Sequence, residues 1–294
     1  MSLGSRLGIA FMRAIAPLPL PLVRGFGALL GRVLHTIALP RRRVVDTNLA
    51  VCFPDKSEAE RRRIARETFV YVAQSWLDRS WLWHAPEKVV ASRLKVVGAA
   101  REIREIADGD EPMILFAPHF YGLDAAATAL TMHTARPSAT IYTTQRDPMV
   151  DEWIREGRTR FGNVAALNRV DGIKPVLGGL RKGGLLYLLP DMDFGRDQTI
   201  FVPFYGVQAA TVPSLSRFAR LGKAKVVPVI AKLTPGGYEI EVRPAWQNFP
   251  TDDVEADTAL MNQRLQGYID TMPSQYYWVH RRFKTRPEGA PPIY

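Results

Sequence analysis

The 294-residue chain holds a single cysteine, Cys52. It therefore closes no intrachain disulfide and builds no cysteine-based metal cluster, which fits a reducing compartment. Its histidines, His35, His84, His119, His133 and His280, fall at no metal-ligand spacing, so no metal is expected. There is no G-x-S-x-G elbow, no Walker phosphate loop and no dinucleotide fingerprint. No cofactor is expected, and no serine or cysteine nucleophile presents itself. The chain also lacks a stretch of about 20 uncharged apolar residues, the length of a standard membrane-spanning helix. A secretory signal peptide is not expected, because a basic n-region, an unbroken apolar core and a small-residue cleavage site do not occur in order. Acidic residues are the minority charge, 29 against 39 Lys and Arg, which gives +10. Such an excess attracts nucleic acid, anionic membranes, acidic proteins or phosphorylated substrates, and its sign alone does not choose between them.

What is present is enough to build a large core: 47% of the residues are hydrophobic and 10% aromatic. From Leu94 onward short apolar runs alternate with helical patterns. Strands are expected over 94–97, 113–117, 139–144, 163–167 and 184–189, and helices over 99–107, 122–133, 147–161 and 172–181. This rhythm predicts an α/β domain with a mostly parallel or mixed central sheet and helices on both faces. Beyond Asp191 the pattern loosens. Strands are expected over 201–205, 225–230, 238–242 and 275–280, with helices over 213–221 and 257–271. No internal repeat and no long linker divides the chain, so one domain is expected over 41–294.

Residues 1–40 are apolar but interrupted by Arg13, Arg24 and Arg32, and broken by Pro17, Pro19 and Pro21. Two amphipathic helices lying in a membrane interface, arginines outward, fit this better than a span. The competing reading is two helices packed on the protein's own core. Arg41, Arg42 and Arg43 follow directly, where a basic cluster would meet anionic headgroups or simply face solvent. Ser57 and Glu60 match a capping box, and Ile64, Phe69, Val72 and Trp76 then recur at near-helical spacing, predicting a helix over 57–83.

The chemistry centres on Pro112 to Ala125, PMILFAPHFYGLDA. A buried strand ends at Pro118, His119 stands at its carboxyl end, and Asp124 falls where an alanine-rich helix begins. Sites in open α/β sheets lie at such strand ends. The two side chains meet only if His119 sits on the turn and Asp124 in the first helical turn. The carboxylate would then fix the imidazole tautomer, leaving the other nitrogen as a general base. On spacing alone a structural histidine is the commoner reading; the strand–turn–helix context brings catalysis level with it. With no protein nucleophile, the base points to a substrate hydroxyl and direct group transfer.

HFYGLD resembles the H-x4-D/E motif of glycerolipid-type acyltransferases. Three further stretches, RRRVVDTNLAVCFPDKSEAER (41–61), PDMDFGRDQTIFVPFYGVQAATV (190–212) and QYYWVHRRFKTRPEG (275–289), with GRTRFG (157–162), are similar to the late acyltransferases of lipid A biosynthesis, the lauroyl/myristoyl group. The resemblance implies a glycerolipid acyltransferase-like fold and an enzyme on the cytoplasmic face of the bacterial inner membrane. It implies transfer of a fatty acyl group from acyl carrier protein to a hydroxyacyl chain of an anionic, Kdo-bearing lipid A precursor. His119 would be the base and Asp124 its partner. The motif arginine would fall on Arg158 or Arg160 and the motif acid on Asp191 or Asp193. Arg281 and Arg282, with Lys284 and Arg286, are candidate contacts for phosphate or acyl carrier protein, or else a basic tail on a solvated surface; nucleic acid would not be a partner. An acyl slot is also required, since burying ~12 methylenes at about 0.8 kcal/mol each supplies roughly 10 kcal/mol. Trp76, Trp81, Phe116, Phe120 and Tyr121 are candidates to line it, with core packing the default reading of each. The residues by themselves leave two alternatives: another glycolipid or lysophospholipid acceptor, or a non-enzymatic protein binding anionic membranes.

Overall fold

The computed structural model describes residues 3–169 and 172–294. Four helices come first: α1 (Leu3–Ile15), α2 (Leu20–Ile37), α3 (Leu39–Cys52) and the long α4 (Glu58–His84). Pro17 and Pro19 separate α1 from α2. Pro21 is absorbed into the first turn of α2, where a proline sacrifices no intrahelical bond. The chain bends by 90° between α2 and α3. The capping box forms as expected: the Glu60 amide donates to Ser57 Oγ at 3.3 Å, and the Ser57 amide donates back to Glu60 Oε2 at 2.9 Å.

A short helix, α5 (Glu87–Ser92), leads into the α/β region: β1 (Leu94–Gly98), α6 (Ala100–Asp108), β2 (Met113–Phe116), α7 (Leu123–Thr131), β3 (Ser138–Tyr142), α8 (Pro148–Arg158), β4 (Val164–Asn168), α9 (Lys174–Leu180) and β5 (Leu185–Leu188). Next come β6 (Ile200–Phe204), β7 (Val207–Thr211), α10 (Ser214–Gly222), β8 (Lys225–Thr234), β9 (Gly237–Val242) and α11 (Val254–Thr271). Seven strands form the central sheet in the order β1-β9-β8-β2-β5-β3-β4. Every neighbouring pair is parallel except β8–β9, which a tight turn joins and so forces antiparallel. This is the single α/β domain with a mostly parallel sheet that the strand–helix rhythm predicts.

The sheet is covered on both faces. Ile114 and Phe116 of β2 pack with α9, α10 and α11, while Met113 and Leu115 pack with α7 and α8. That is why β2 and β5 read as unbroken apolar runs rather than alternating ones.

Two expectations after Asp191 are corrected. Residues 275–280 do not form a strand: a 3-10 turn at Pro273–Gln275 gives way to successive tight turns, with one isolated bridge between Phe120 and Tyr276. A strand that was not foreseen, β7, pairs with β6 through Tyr205 and Gly206, both at positive φ. That is the twist a two-residue hairpin needs, and Tyr-Gly between apolar runs was its available signal.

The expectation that the N-terminal arginines all face outward also fails at Arg24. Its guanidinium is buried against Asp78 of α4, with Nε donating at 2.9 Å and Nη2 lying at 2.8 Å. Asp78 also accepts from Trp81 Nε1 at 2.9 Å and from the Tyr238 hydroxyl at 2.6 Å, which ties α2, α4 and β9 together. The approach is close enough that a Cβ at Gly31 would stand 2.5 Å from the Phe69 carbonyl oxygen. Replacing Asp78 with alanine strands a buried guanidinium and should cost about 3–5 kcal/mol, read as a lower urea midpoint by tryptophan fluorescence. The apolar pair Arg24→Met with Asp78→Leu should recover much of that loss.

Candidate active site

β2 and β5 are parallel neighbours in strict register, with Phe116 opposite Leu188. Each is followed by a residue, then a proline, then a polar side chain: Ala117-Pro118-His119 after β2 and Leu189-Pro190-Asp191 after β5. Equal offsets from paired strand ends bring His119 and Asp191 to the same height on the sheet's carboxyl edge. His119 Nδ1 lies 2.7 Å from Asp191 Oδ1, and the His119 backbone amide donates to Oδ2 at 2.9 Å. The Tyr276 hydroxyl donates to the same Oδ2 at 3.0 Å. Asp191 is wholly buried. Burial pushes its pKa up, but the His119 charge and the hydrogen bonds from His119 and Tyr276 outweigh this and hold it below the usual carboxylate range. An ionised Asp191 makes Nδ1 the protonated nitrogen and leaves Nε2 with its lone pair.

The segment after α11 clamps this turn. The Tyr277 amide donates to the His119 carbonyl at 3.0 Å, and the Tyr121 amide donates to Gln275 at 3.0 Å. Gly122 permits the close packing, since a Cβ there would lie 2.7 Å from that of Ala231.

Asp124 is in the first turn of α7, as expected, but the expected contact with His119 is not made. Its two oxygens are taken by arginines: Arg79 Nε of α4 donates to Oδ2 at 2.8 Å, and Arg158 Nε, at the end of α8, donates to Oδ1 at 2.9 Å. Burial works against the charge, but Arg158 and Arg79 prevail and hold the Asp124 pKa at about 2. Arg79 is itself held over the Trp76 ring, 4.2 Å from its centroid. No sequence motif pointed to Arg79; its place one turn beyond Trp76 on α4 was the only hint.

His119, Asp124, Arg79 and Arg158 all line one cavity of about 750 Å³. Its apolar wall includes Leu123, Ala127, Leu130, Tyr187 and Phe218. Of the aromatics considered for an acyl slot, Trp76, Phe120 and Tyr121 line it, whereas Trp81 and Phe116 belong to the core.

The paired candidates separate cleanly. Arg158 faces the cavity, while Arg160 turns away and donates to the carbonyls of Leu82, at 3.0 Å, and Ala85. Asp191 holds His119, while Asp193 is buried among the Thr285 amide and hydroxyl, at 2.7 and 2.8 Å, and the Gly195 amide. Arg282 is not the surface contact expected of it. It is 2% exposed and donates to the Ala210 carbonyl at 2.7 Å and to Thr211 Oγ1 at 2.8 Å, pinning the C-terminal segment to β7. Arg281 is exposed, away from the cavity lining, with its guanidinium 5.8 Å from the Tyr294 ring centroid.

A buried carboxylate holding an imidazole at a strand end, an Nε2 that no described residue claims and an adjoining apolar cavity suit base-assisted transfer to a hydroxyl. Comparison with known proteins gives the family and the class of reaction. The sequence profile described as "Bacterial lipid A biosynthesis acyltransferase" matches residues 2–285. The chain is 33% identical over 292 residues to the lipid A biosynthesis lauroyltransferase of Escherichia coli K12, covering 98% of this chain and 94% of that one. It is 33% identical over 289 residues to a lipid A biosynthesis acyltransferase of Haemophilus influenzae, covering 97% and 89%. With the E. coli lipid A biosynthesis myristoyltransferase it shares 31% identity over 289 residues, covering 97% and 88%. The chain is thus an acyltransferase and belongs to the bacterial lipid A biosynthesis acyltransferase family.

Proposed function

We propose that the protein transfers a fatty acyl group from acyl carrier protein to the hydroxyl of a 3-hydroxyacyl chain on a Kdo-bearing lipid A precursor, with His119 as general base and Asp191 as its orienting acid. The observation that carries this is the 2.7 Å contact between His119 Nδ1 and a buried carboxylate, beside a cavity large enough for an acyl chain. Nε2 takes the hydroxyl proton as the oxygen attacks the thioester carbonyl. A carbon–oxygen bond forms, the carbon–sulfur bond breaks, and the proton passes from the imidazolium to the departing thiolate. Asp191 stabilises the imidazolium in between.

For the developing oxyanion, Arg158 is favoured over the turn amides. The amides of Phe120, Tyr121 and Leu123 already donate to Pro118, Gln275 and Phe120, respectively. Arg158 Nε is spent on Asp124, but the guanidinium lines the cavity and carries further donors.

Attachment to the cytoplasmic face of the inner membrane fits the N-terminal helices. Leu3, Leu7 and Phe11 of α1 and Leu22, Phe26, Leu29, Val33 and Ile37 of α2 are all exposed, a contiguous apolar face at helical spacing. Among the described residues no single helix is long and apolar enough to cross a membrane; α2 and α3 together pass by length and composition, bent as they are. The exposed Arg41, Arg43, Arg281 and Lys284 suit an acidic carrier protein or a phosphorylated lipid.

His119→Ala should lower acyl transfer by about 10²–10⁴ with the fold intact by circular dichroism, and the lipid A of cells carrying it should lose one acyl chain by mass spectrometry. Near-normal transfer by that variant would overturn the mechanism. A side-by-side panel of lipid A precursor, other glycolipids and lysophospholipids tests the acceptor.

A further inference from the structure

A second cavity, of about 440 Å³, lies beside the first. Its outer part is apolar: Leu34 and Ala38 at the carboxyl end of α2, and Phe69 of α4. Val72, Met192 and Tyr277 line both cavities, so those three side chains form the wall between them. Tyr277 is the ring neighbour of His119, with centroids 6.1 Å apart. The inner end of this second space is therefore one aromatic ring from the base.

Its outer end joins the exposed apolar face of α2. Leu34 is next to Val33 and one turn from Ile37, which are 45% and 65% exposed. Among the described residues the charge lining this end is the positive charge of Arg41. Arg41 lines the cavity and donates to the Val279 carbonyl at 3.3 Å, and among the described residues no carboxylate pairs with it. Among the described residues no acidic side chain lines the cavity. His280, which does, accepts the Asp193 amide at Nε2, and burial with the Arg282 and His119 charges pushes its pKa down to about 4, so it adds no second charge at neutral pH.

We propose that this cavity seats one acyl chain of an anionic membrane lipid, admitted sideways from the bilayer leaflet, with Arg41 on the headgroup's charge. A water-soluble ligand would find almost no hydrogen-bond partners along Leu34, Ala38, Phe69 and Val72. A lipid chain exchanges one apolar surrounding for another and gains the Arg41 pairing at the rim. A chain running inward past Tyr277 would bring its own hydroxyl beside His119. The inference rests on the reaction proposed above only in taking this lipid to be the acyl acceptor; the seat itself follows from the cavity, the exposed face and the charge at its rim.

The test is photo-crosslinking with phosphatidylglycerol vesicles carrying a diazirine on the acyl chain, followed by peptide mapping. Label is expected on Phe69, Val72 and Tyr277 as well as on the exposed face at Leu22 and Phe26. Ala38→Trp, and independently Leu34→Trp, fill the outer part at half-exposed positions. Either should cut the inner label about tenfold, the effect of losing roughly two buried methylenes, and leave the label on Leu22 and Phe26 unchanged. Arg41→Ala should reduce the preference for phosphatidylglycerol over phosphatidylcholine. Label confined to the exposed face, or inner label indifferent to both tryptophans, would overturn the seat. Inner label retained in His119→Ala supports it independently of the chemistry, so a failed transfer assay and a failed seat are distinguishable.

Discussion

Asparagine in place of Asp191 should slow acyl transfer by about 10²–10⁴, nearly as much as removing His119. The carboxylate accepts from the His119 ring, the His119 amide and the Tyr276 hydroxyl at once. An amide of the same shape keeps one acceptor oxygen and turns the other position into a donor. If it donates to Nδ1, it selects the tautomer with the proton on Nε2, where the lone pair is needed. If it flips, it faces two other donors with an NH₂ group. The loss should fall on kcat, because Asp191 is buried behind the histidine and touches no substrate. Steady-state kinetics of Asp191→Asn and Asp124→Asn side by side would decide which acid serves the imidazole. Wild-type kcat in Asp191→Asn, with kcat abolished in Asp124→Asn, would restore the local histidine–aspartate pair and sink the present assignment.

Asp124→Ala should be costly for a different reason. It leaves Arg79 and Arg158 facing each other with no counter-charge, at 16% and 25% side-chain exposure. Removing one partner of such a buried network costs about 3–5 kcal/mol, less where water reaches Arg158. Transfer should fall as well, because Arg158 loses the carboxylate that positions it in the cavity. The pH dependence has a definite sign. The folded-state pKa of Asp124 is about 2, below its ordinary 3.8. Its contribution is therefore fully present above about pH 4 and is lost as the pH falls from there toward 2. Urea midpoints measured between pH 5 and pH 2 should drop in the native protein and drop less in Asp124→Ala across that window. Equal slopes would show that the Asp124 charge is not what the two arginines hold.

The two changes together separate roles that the H-x4-D spacing merges. His119 and Asp124 are near in sequence because both belong to one strand–turn–helix unit, and that unit puts them in one cavity. Nearness does not make them partners. Asp124 is drawn to the cations that α4 and α8 bring to the start of α7, and His119 to the acid on the neighbouring strand.

The sequence by itself determined much of this protein. Apolar runs with helical patterns between them dictate a covered, mostly parallel sheet, because only strands buried on both faces lack alternation. Ser57 and Glu60 set the start of α4 through local hydrogen bonds. Pro118 ends β2 and leaves His119 at the sheet's carboxyl edge, and the motifs around it are enough to place the chain in its family. All of these are read within a few residues, where spacing and chemistry are the same thing. What only the tertiary structure decided is which side chains meet across the fold. Asp191 is 72 residues from His119. It arrives there because β5 pairs with β2 while β3 and β4, which lie between them in the chain, are set outside that pair. The matching strings FAPH and LLPD carried the clue, but equal offsets mean equal height only for strands that are neighbours in register. Arg79 reaches Asp124 from α4, and Arg282, one of a run of basic residues in the sequence, is buried under β7, where its Nη1 and Nη2 donate to Ala210 and Thr211. Pairing in a parallel sheet and the burial of long charged side chains are non-local, so no pattern along the chain specifies them.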